Sequence, residues 1–207
     1  MTEEEARAWV RERFGVSRET LLARFAELLA AENERQNLVA ASTLETIWNR
    51  HLVDSAQLVP LADGAAEGPW LDIGSGPGLP GLVVAVLTER QLVLSEPRAR
   101  RVEFLRHAAE MLGIADRVTV EPRKIEAVRL PRKAAVISAR AVAELSQLLA
   151  AAHPCANSST RWLLPKGSRA HSEVEAARRA WQGVFHVEPS ITQPDSGIVV
   201  AQEVRSR

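Results

Sequence analysis

Four glycines stand within eight residues, in the segment Gly74-Ser75-Gly76-Pro77-Gly78-Leu79-Pro80-Gly81. The largely apolar run 70–73 precedes this segment and the apolar run 82–87 follows it, which predicts a strand, a tight turn and a helix. Glycine lets such a turn bring its backbone close to a ligand where a Cβ would clash. The start of the following helix offers unpaired N–H groups and a partial positive charge, which suit a pyrophosphate or a carboxylate. The candidate cofactor contacts in this turn are Gly74, Ser75, Gly76, Gly78 and Leu79.

Two acidic residues near the turn bear on the choice of cofactor. Glu96 ends the run 92–95, 22 residues beyond Gly74, where a carboxylate can accept hydrogen bonds from both hydroxyls of an adenosine ribose. Asp72 stands two residues before the first glycine, where a dinucleotide fold usually has an apolar residue and an acid suits a methionine amino group. Asp72 and the two prolines of the turn favour S-adenosylmethionine, so methyl transfer is predicted, with a dinucleotide-dependent oxidoreductase as the alternative.

The elements that position these residues follow from the periodicity of the chain after residue 69. Apolar runs that predict strands lie at 70–73, 91–95, 117–121, 134–138, 161–164, 184–188 and 197–203. Helices are predicted between the earlier strands, at 79–88, 98–112, 142–152 and 169–181. This alternation predicts an α/β fold with a seven-stranded, mostly parallel sheet covered by helices on both faces. The last two strands have only 189–196 between them and predict a terminal antiparallel hairpin.

The first third of the chain is predicted to be helical throughout. Apolar residues recur at three- and four-residue spacing over 3–32, and Gly15 divides this stretch into two helices, the second capped by Ser17. Another helix begins at Thr43 and continues to Pro60, before the small-residue connector 63–69. The sequence therefore predicts an N-terminal helical extension over 1–69 and a Rossmann-like methyltransferase domain over 70–207.

Composition limits the class of protein. The chain has 207 residues, of which 46% are hydrophobic and 25% charged, as in an ordinary globular protein. No apolar run approaches the roughly 18 residues needed to cross a bilayer, and the acidic N-terminus is unlike a secretory signal. Cys155 is the one cysteine, which excludes an internal disulfide, and it follows a predicted helix, which favours a structural role. We expect a cytoplasmic protein without a metal.

The charge is unevenly distributed along the chain. Lys and Arg number 26, as do Asp and Glu, but residues 1–69 carry a net −5 and residues 70–207 a net +5. Several basic residues follow predicted strand ends or open the next helix, the edge at which such sheets bind ligands. These candidate RNA-binding residues are Arg98, Arg100, Arg101, Arg123, Lys124, Arg140, Lys166 and Arg169. The positive charges of 70–207 are expected to lie around the cofactor site, so the neutral total does not exclude a nucleic-acid partner.

Five segments in unbroken order resemble a known family. They are Arg50-His51-Leu52-Val53-Asp54-Ser55, Leu71 to Gly81, Arg100 to Leu105, Ser138 to Ala143, and Pro165-Lys166-Gly167. Together they are similar to the RsmG (GidB) family of bacterial methyltransferases, which modify N7 of a guanine in 16S rRNA with S-adenosylmethionine. The resemblance implies a class I methyltransferase fold and 16S rRNA, in the small subunit or its assembly intermediates, as the partner. We expect a monomer.

The resemblance also implies roles for individual residues. Gly74 and Leu79 match cofactor contacts in the turn, and Glu96 matches the ribose-binding acid. Ile125 and Glu126 would frame the adenine, and Arg140 stands at the mouth of the site. Two prolines depart from the family pattern, Pro97 after the acid and Pro165 before the family lysine.

The expected chemistry needs no general base. Guanine N7 carries an in-plane lone pair and no proton, so catalysis reduces to aligning N7, methyl carbon and sulfur and excluding water. Arg140 is the candidate catalytic residue, and it could position the base, a phosphate or the cofactor carboxylate. His51 and Asp54 lie one helical turn apart and are predicted to contact each other, in a catalytic or a structural role. A small-molecule or protein acceptor stays open as an alternative.

Overall fold

A computed structural model describes all 207 residues of the chain. Its centre is one seven-stranded sheet with the order β3-β2-β1-β4-β5-β7-β6. The strands are β1 Trp70–Ile73, β2 Leu92–Ser95, β3 Val118–Glu121, β4 Val136–Ala139, β5 Arg161–Lys166, β6 Trp181–Pro189 and β7 Gly197–Ser206. The first five are parallel, and β7 lies antiparallel between β5 and β6. The predicted mostly parallel sheet and its terminal antiparallel hairpin are confirmed.

Helices cover both faces of the sheet. They are α5 Gly81–Leu87, α6 Ala99–Met111, α7 Leu145–Ala152 and α8 Ala170–Ala177 in the second part of the chain. The apolar sides of α5 and α6 pack in one buried cluster, and those of α7 and α8 pack in another on the opposite face. Cys155 is buried in the second cluster as a free thiol, as expected of a structural cysteine. The helix predicted over 169–181 is wrong at its end, because Trp181 is buried and already pairs with Ser206 in the sheet.

The N-terminal part forms a succession of helices. They are α1 Glu3–Phe14, α2 Val16–Asn33, a 3₁₀ turn Ala41–Thr43, a π-helical segment Trp48–Val53, α3 Asp54–Ala56 and α4 Leu58–Leu61. The predicted cap at Ser17 is wrong, because Gly15 is the N-cap residue and Ser17 is already inside the helix. The single helix predicted from Thr43 to Pro60 is also wrong. The carboxylate of Glu3 accepts hydrogen bonds from the N–H groups of Trp48 and Asn49, so a new helical segment begins there.

The N-terminal helices share a hydrophobic core with the sheet. Leu22, Phe25 and Leu29 of α2 belong to the same buried cluster as α5 and α6. Every residue of α5 is buried, because this helix lies between the sheet and the N-terminal helices. The division of the chain at residue 69 stays a prediction, and the packing joins the two parts through one core. No helix is long and apolar enough to cross a membrane.

Candidate active site

A cavity of about 920 Å³ opens at the edge of the sheet where β1 and β4 end. The turn after β1, the loop after β4, the end of β5, the loop between β6 and β7, and the N-terminal helical part all contribute to its walls. Its lining includes Gly74, Gly76, Leu79, Arg140, Val142, Lys166, Gln193 and His51. The carboxyl ends of parallel strands in such sheets are the usual place of ligand binding. This cavity is therefore the candidate active site.

The glycine turn has a backbone that only glycine adopts readily. Gly74 has a φ of +64°, and a Cβ built there would lie 2.8 Å from a methyl group of Val142. Gly78 has a φ of +88°, and its Cβ would lie 2.6 Å from the Leu82 side chain. Gly74, Gly76 and Leu79 line the cavity, and their contacts with the cofactor stay a prediction. Ser75 and Gly78 do not line the cavity. Both are buried inside the turn, where the N–H of Gly78 donates a hydrogen bond to the carbonyl of Ser75.

Asp72 lies beneath the turn instead of facing the cavity. Its carboxylate accepts hydrogen bonds from the N–H of Gly81 at 3.1 Å and from the hydroxyl of Ser138 at 2.7 Å. The side chain is fully buried, and this burial raises the pKa of Asp72 to about 6. Asp72 is outside the cavity lining, so its contact with a methionine amino group, direct or through water, stays a prediction. Asp72 holds the glycine turn to the neighbouring strand, and it occupies the helix N–H that was expected to be unpaired.

Glu96 ties the end of β2 to the same turn. One carboxylate oxygen accepts a hydrogen bond from the N–H of Gly76 at 3.0 Å, and the other accepts one from the N–H of Arg98 at 2.9 Å. The guanidinium of Arg101 lies 4.0 Å away. Glu96 is buried and outside the cavity lining, so the ribose contact stays a prediction. The same holds for the adenine contacts, because Ile125 is buried in the core and Glu126 is exposed outside the cavity.

Arg140 is held on one side of the cavity by two neighbours. Its Nη1 lies 3.0 Å from Oδ2 of Asp54, and its Nη2 lies 3.4 Å from Nδ1 of His51. Nε2 of His51 is 2.7 Å from the hydroxyl of Thr43. Burial and the positive charge of Arg140 lower the pKa of His51 to about 4, so the imidazole is neutral near pH 7. No hydrogen bond or ion pair joins His51 to Asp54, and Arg140 links the two residues.

Lys166 holds the loop after β4. Its Nζ donates to the carbonyl of Ala143 at 2.7 Å and lies 2.8 Å from the carboxylate of Glu173. The same carboxylate accepts a hydrogen bond from the N–H of Leu145 at 2.9 Å. Only 9% of the Lys166 side chain is exposed. Lys166 also lines the cavity, so its role as an RNA contact stays a prediction, while its ammonium group already has two partners inside the protein.

The other basic candidates divide into two groups. Arg101 and Arg169 line the cavity with Arg140 and Lys166, and Arg169 is exposed and forms no ion pair. The candidates outside the cavity are all exposed, and they are Arg98, Arg100, Arg123 and Lys124. Arg123 is paired with Glu121 at 3.0 Å. The expected concentration of positive charge at the site is therefore only partly present.

Sequence reasoning missed several lining residues. They are Thr43, Arg50, Gln147, Gln193 and Ser196. Arg50 could have been found, because it opens the segment that carried the family resemblance. Gln193 and Ser196 offered no signal, since the loop between the last two strands approaches the site only in the folded chain.

The sheet order, the glycine turn after β1, the acid at the end of β2 and the cavity at the strand ends define a class I methyltransferase fold. A solved structure of similar fold is the glycopeptide N-methyltransferase MtfA complexed with S-adenosyl-L-methionine. The TM-score is 0.62 at 13% sequence identity, over 73% of this chain and 94% of that one.

The chain belongs to the family described as rRNA small subunit methyltransferase G, which matches residues 18–195. It is 50% identical to the ribosomal RNA small subunit methyltransferase G of Rhizorhabdus wittichii, over all of this chain and 95% of that protein. It is 48% identical to the protein of the same name from Sphingopyxis alaskensis, over 96% of this chain and 85% of that protein. The predicted family and enzyme class are confirmed: this is an rRNA methyltransferase, and its methyl donor is S-adenosylmethionine.

The residues present fit that cofactor. Gly74 and Gly76 offer the cavity a wall of bare backbone, and a Cβ at Gly74 would clash with Val142 in the same lining. The cavity is large enough for a ligand of several hundred Å³.

Proposed function

We propose that this protein transfers the methyl group of S-adenosylmethionine to N7 of a guanine in 16S rRNA, by direct in-line displacement without a general base. The observation that carries the proposal is the cavity with the glycine turn on one wall and the anchored guanidinium of Arg140 on another. The two potential bases beside Arg140, His51 and Asp54, are already engaged. His51 has both ring nitrogens bonded, and the Asp54 carboxylate is paired. N7 needs neither of them, because it carries no proton.

In this proposal the glycine turn holds the cofactor. Gly74, Gly76 and Leu79 form its wall in the cavity, while Glu96 binds the ribose and Ile125 and Glu126 frame the adenine. S-adenosylmethionine supplies the electrophilic methyl group. Asp72 contributes by fixing the turn from beneath, through its bond to the N–H of Gly81. A rigid turn supports catalysis because alignment of the reacting atoms is most of what this reaction needs.

Arg140 positions the acceptor. It is the arginine of the cavity with two fixed partners, so its guanidinium has a defined place. A guanidinium can bind guanine O6, a phosphate or a carboxylate. Binding O6 while leaving N7 free directs N7 at the methyl group, and binding both would block attack.

The RNA contacts are assigned to basic residues at and beside the cavity. Arg50, Arg101 and Arg169 lie there, and Arg98, Arg100, Arg123 and Lys124 extend the basic surface along the next strand ends. Contacts to phosphates would make the affinity depend on salt. We place the enzyme in the cytoplasm as a monomer, acting on the small subunit or an assembly intermediate.

The test is methyl transfer from tritiated S-adenosylmethionine to small subunits whose 16S rRNA lacks the modification. We expect label in 7-methylguanosine after digestion to nucleosides, and at least tenfold less label with Arg140→Gln. Glu175→Gln is the matched control, because Glu175 is exposed and its ion pair with Arg178 is long, at 3.8 Å. Label in another nucleoside, a small molecule or a protein would refute the proposal. Calorimetry that showed binding of NAD(P) and none of S-adenosylhomocysteine would refute the cofactor assignment as well.

A further inference from the structure

We propose that Asp54 is a positioning residue, through which the N-terminal helices and the loop between β6 and β7 fix Arg140 at the cavity. This inference rests on the function proposed above, in which Arg140 places the acceptor. It assigns to the helical extension a part in building the active site, in addition to covering one face of the sheet.

The Asp54 carboxylate joins three separate segments of the chain. Its Oδ2 lies 3.0 Å from Arg140, on the loop after β4. Its Oδ1 accepts hydrogen bonds from the Thr192 hydroxyl at 2.9 Å and from the Gln57 side-chain amide at 3.1 Å. Asp54 is 8% exposed, and a buried carboxylate is costly unless its oxygens are satisfied. Here both oxygens have partners, so the carboxylate holds the three segments in one arrangement.

Gln57 also forms hydrogen bonds with the loop between β6 and β7. Its carbonyl oxygen accepts a hydrogen bond from the N–H of Ile191 at 3.0 Å, and its amide lies 3.2 Å from the hydroxyl of Ser190. The loop 190–196 in turn supplies Ser190, Gln193 and Ser196 to the lining of the cavity. One wall of the cavity is therefore built by the terminal hairpin and kept in place by the N-terminal part.

The two neighbours of Arg140 restrict the direction of its guanidinium. Asp54 binds Nη1, and the neutral His51, itself bonded to Thr43, lies at Nη2. A guanidinium is planar with its donors in a fixed fork, so two anchored nitrogens define the plane of the whole group. No hydrogen bond within the protein uses the Nε–H of Arg140, which leaves that donor for a ligand. Loss of Asp54 would free the guanidinium without removing it.

The experiment is a double-mutant cycle on methyl transfer to unmodified small subunits, with Asp54→Asn and Arg140→Gln. Asp54→Asn keeps the shape of the side chain and removes its charge. We expect it to lower kcat at least tenfold at saturating S-adenosylmethionine, with the dissociation constant of S-adenosylhomocysteine changed less than twofold. In the Arg140→Gln background the same substitution should change kcat less than twofold, because Asp54 acts through Arg140.

The inference would be overturned if the double variant lost kcat by the product of the two single losses, or if Asp54→Asn left kcat unchanged. Thr192→Val keeps the ion pair between Asp54 and Arg140 and removes the hydrogen bond from Thr192 to Asp54. This variant tests the inference even if Asp54→Asn does not fold. We expect it to lower kcat about threefold or more, and Thr192→Ser to restore it, since the serine hydroxyl can make the same bond. Loss of kcat in Thr192→Ser equal to that in Thr192→Val would also contradict the proposal. Glu175→Gln, which removes a remote exposed ion pair, is the control.

A readout independent of activity separates this inference from the proposed function. Rotation about the C–N bonds of the Arg140 guanidinium, measured by ¹⁵N NMR, slows when the group is ion-paired. We expect rotation at least tenfold faster in Asp54→Asn than in the unchanged protein. Unchanged rotation would refute the positioning role, whereas a protein that shows the faster rotation but methylates no rRNA would refute only the proposed function.

Discussion

Oδ2 of Asp72 lies 3.1 Å from the backbone nitrogen of Gly81, so this buried side chain caps the start of α5 from inside the protein. The next N–H, that of Leu82, is bonded to the carbonyl of Gly78. The first two donors of this helix are therefore occupied within the protein. This distinguishes the turn from a pyrophosphate-binding one, in which those donors face the ligand.

The pKa of Asp72 predicts a dependence of stability on pH. Its folded-state pKa of about 6 lies above the ordinary value of 3.8, so between pH 4 and pH 6 the folded protein holds a proton that the unfolded chain releases. The free energy of unfolding should therefore fall as pH rises through this interval. Compared with Asp72→Asn, the unchanged protein should lose up to about 3 kcal/mol between pH 4 and pH 7. Urea denaturation of both proteins measures this, and a constant difference would contradict it.

His51 predicts the opposite slope in nearly the same interval. Its folded-state pKa of about 4 lies below the ordinary 6.5, so the unfolded chain binds a proton that the folded protein does not. The free energy of unfolding should fall as pH drops from 7 towards 4, by roughly 1–3 kcal/mol relative to His51→Gln. Because Asp72 and His51 act in opposite directions, only the single variants separate them. Parallel curves for His51→Gln and the unchanged protein would show that the imidazole titrates normally.

Gly74 and Gly113 provide a matched pair for the role of the glycine turn. Both have a positive φ, +64° and +68°, but a Cβ meets Val142 at Gly74 and nothing within 4 Å at Gly113. Alanine at Gly113 should cost about 1 kcal/mol of backbone strain, and alanine at Gly74 about 1–3 kcal/mol more. Only Gly74→Ala should weaken binding of S-adenosylhomocysteine, by tenfold or more in calorimetry. Equal binding by the two variants would exclude Gly74 as a cofactor contact.

Lys166 and Arg169 should differ in their effect on RNA binding. Arg169 is exposed without an ion pair, whereas the Lys166 ammonium is bonded to Ala143 and Glu173. Arg169→Gln should reduce the slope of log affinity against log salt by about 0.7–1, as expected for one lost phosphate contact. Lys166→Met should leave this slope unchanged and lower kcat, because it releases the loop that begins at Arg140. A reduced slope in Lys166→Met would show instead that Lys166 contacts the RNA.

Local pattern was sufficient for most of the fold and for the glycine turn. The strand, turn and helix around residues 70–87 depend on neighbours in the chain, so apolar runs and closely spaced glycines predict them directly. The same is true of Glu96, whose distance along the chain from Gly74 is set by one helix and one strand. Between Thr43 and Pro60 prediction failed because a distant group, Glu3, bonds where the helical segment begins. At Ser17 the error was local, because the N-cap is Gly15, two residues earlier.

The residue types and their spacing determined the parallel sheet and the glycine turn, because these depend on backbone geometry and on a periodicity that each segment carries within itself. The class of enzyme followed from the resemblance of five sequence segments to a known family. Only the tertiary structure decided which neighbour each charged group has. Lys166 and Arg169 stand three residues apart and both line the cavity, yet Lys166 is paired with Glu173 whereas Arg169 is exposed and has no ion pair. Asp54, Arg140 and Thr192 meet at one carboxylate although they are far apart in the chain. Electrostatic pairing depends on distances in space, which the order of residues does not contain.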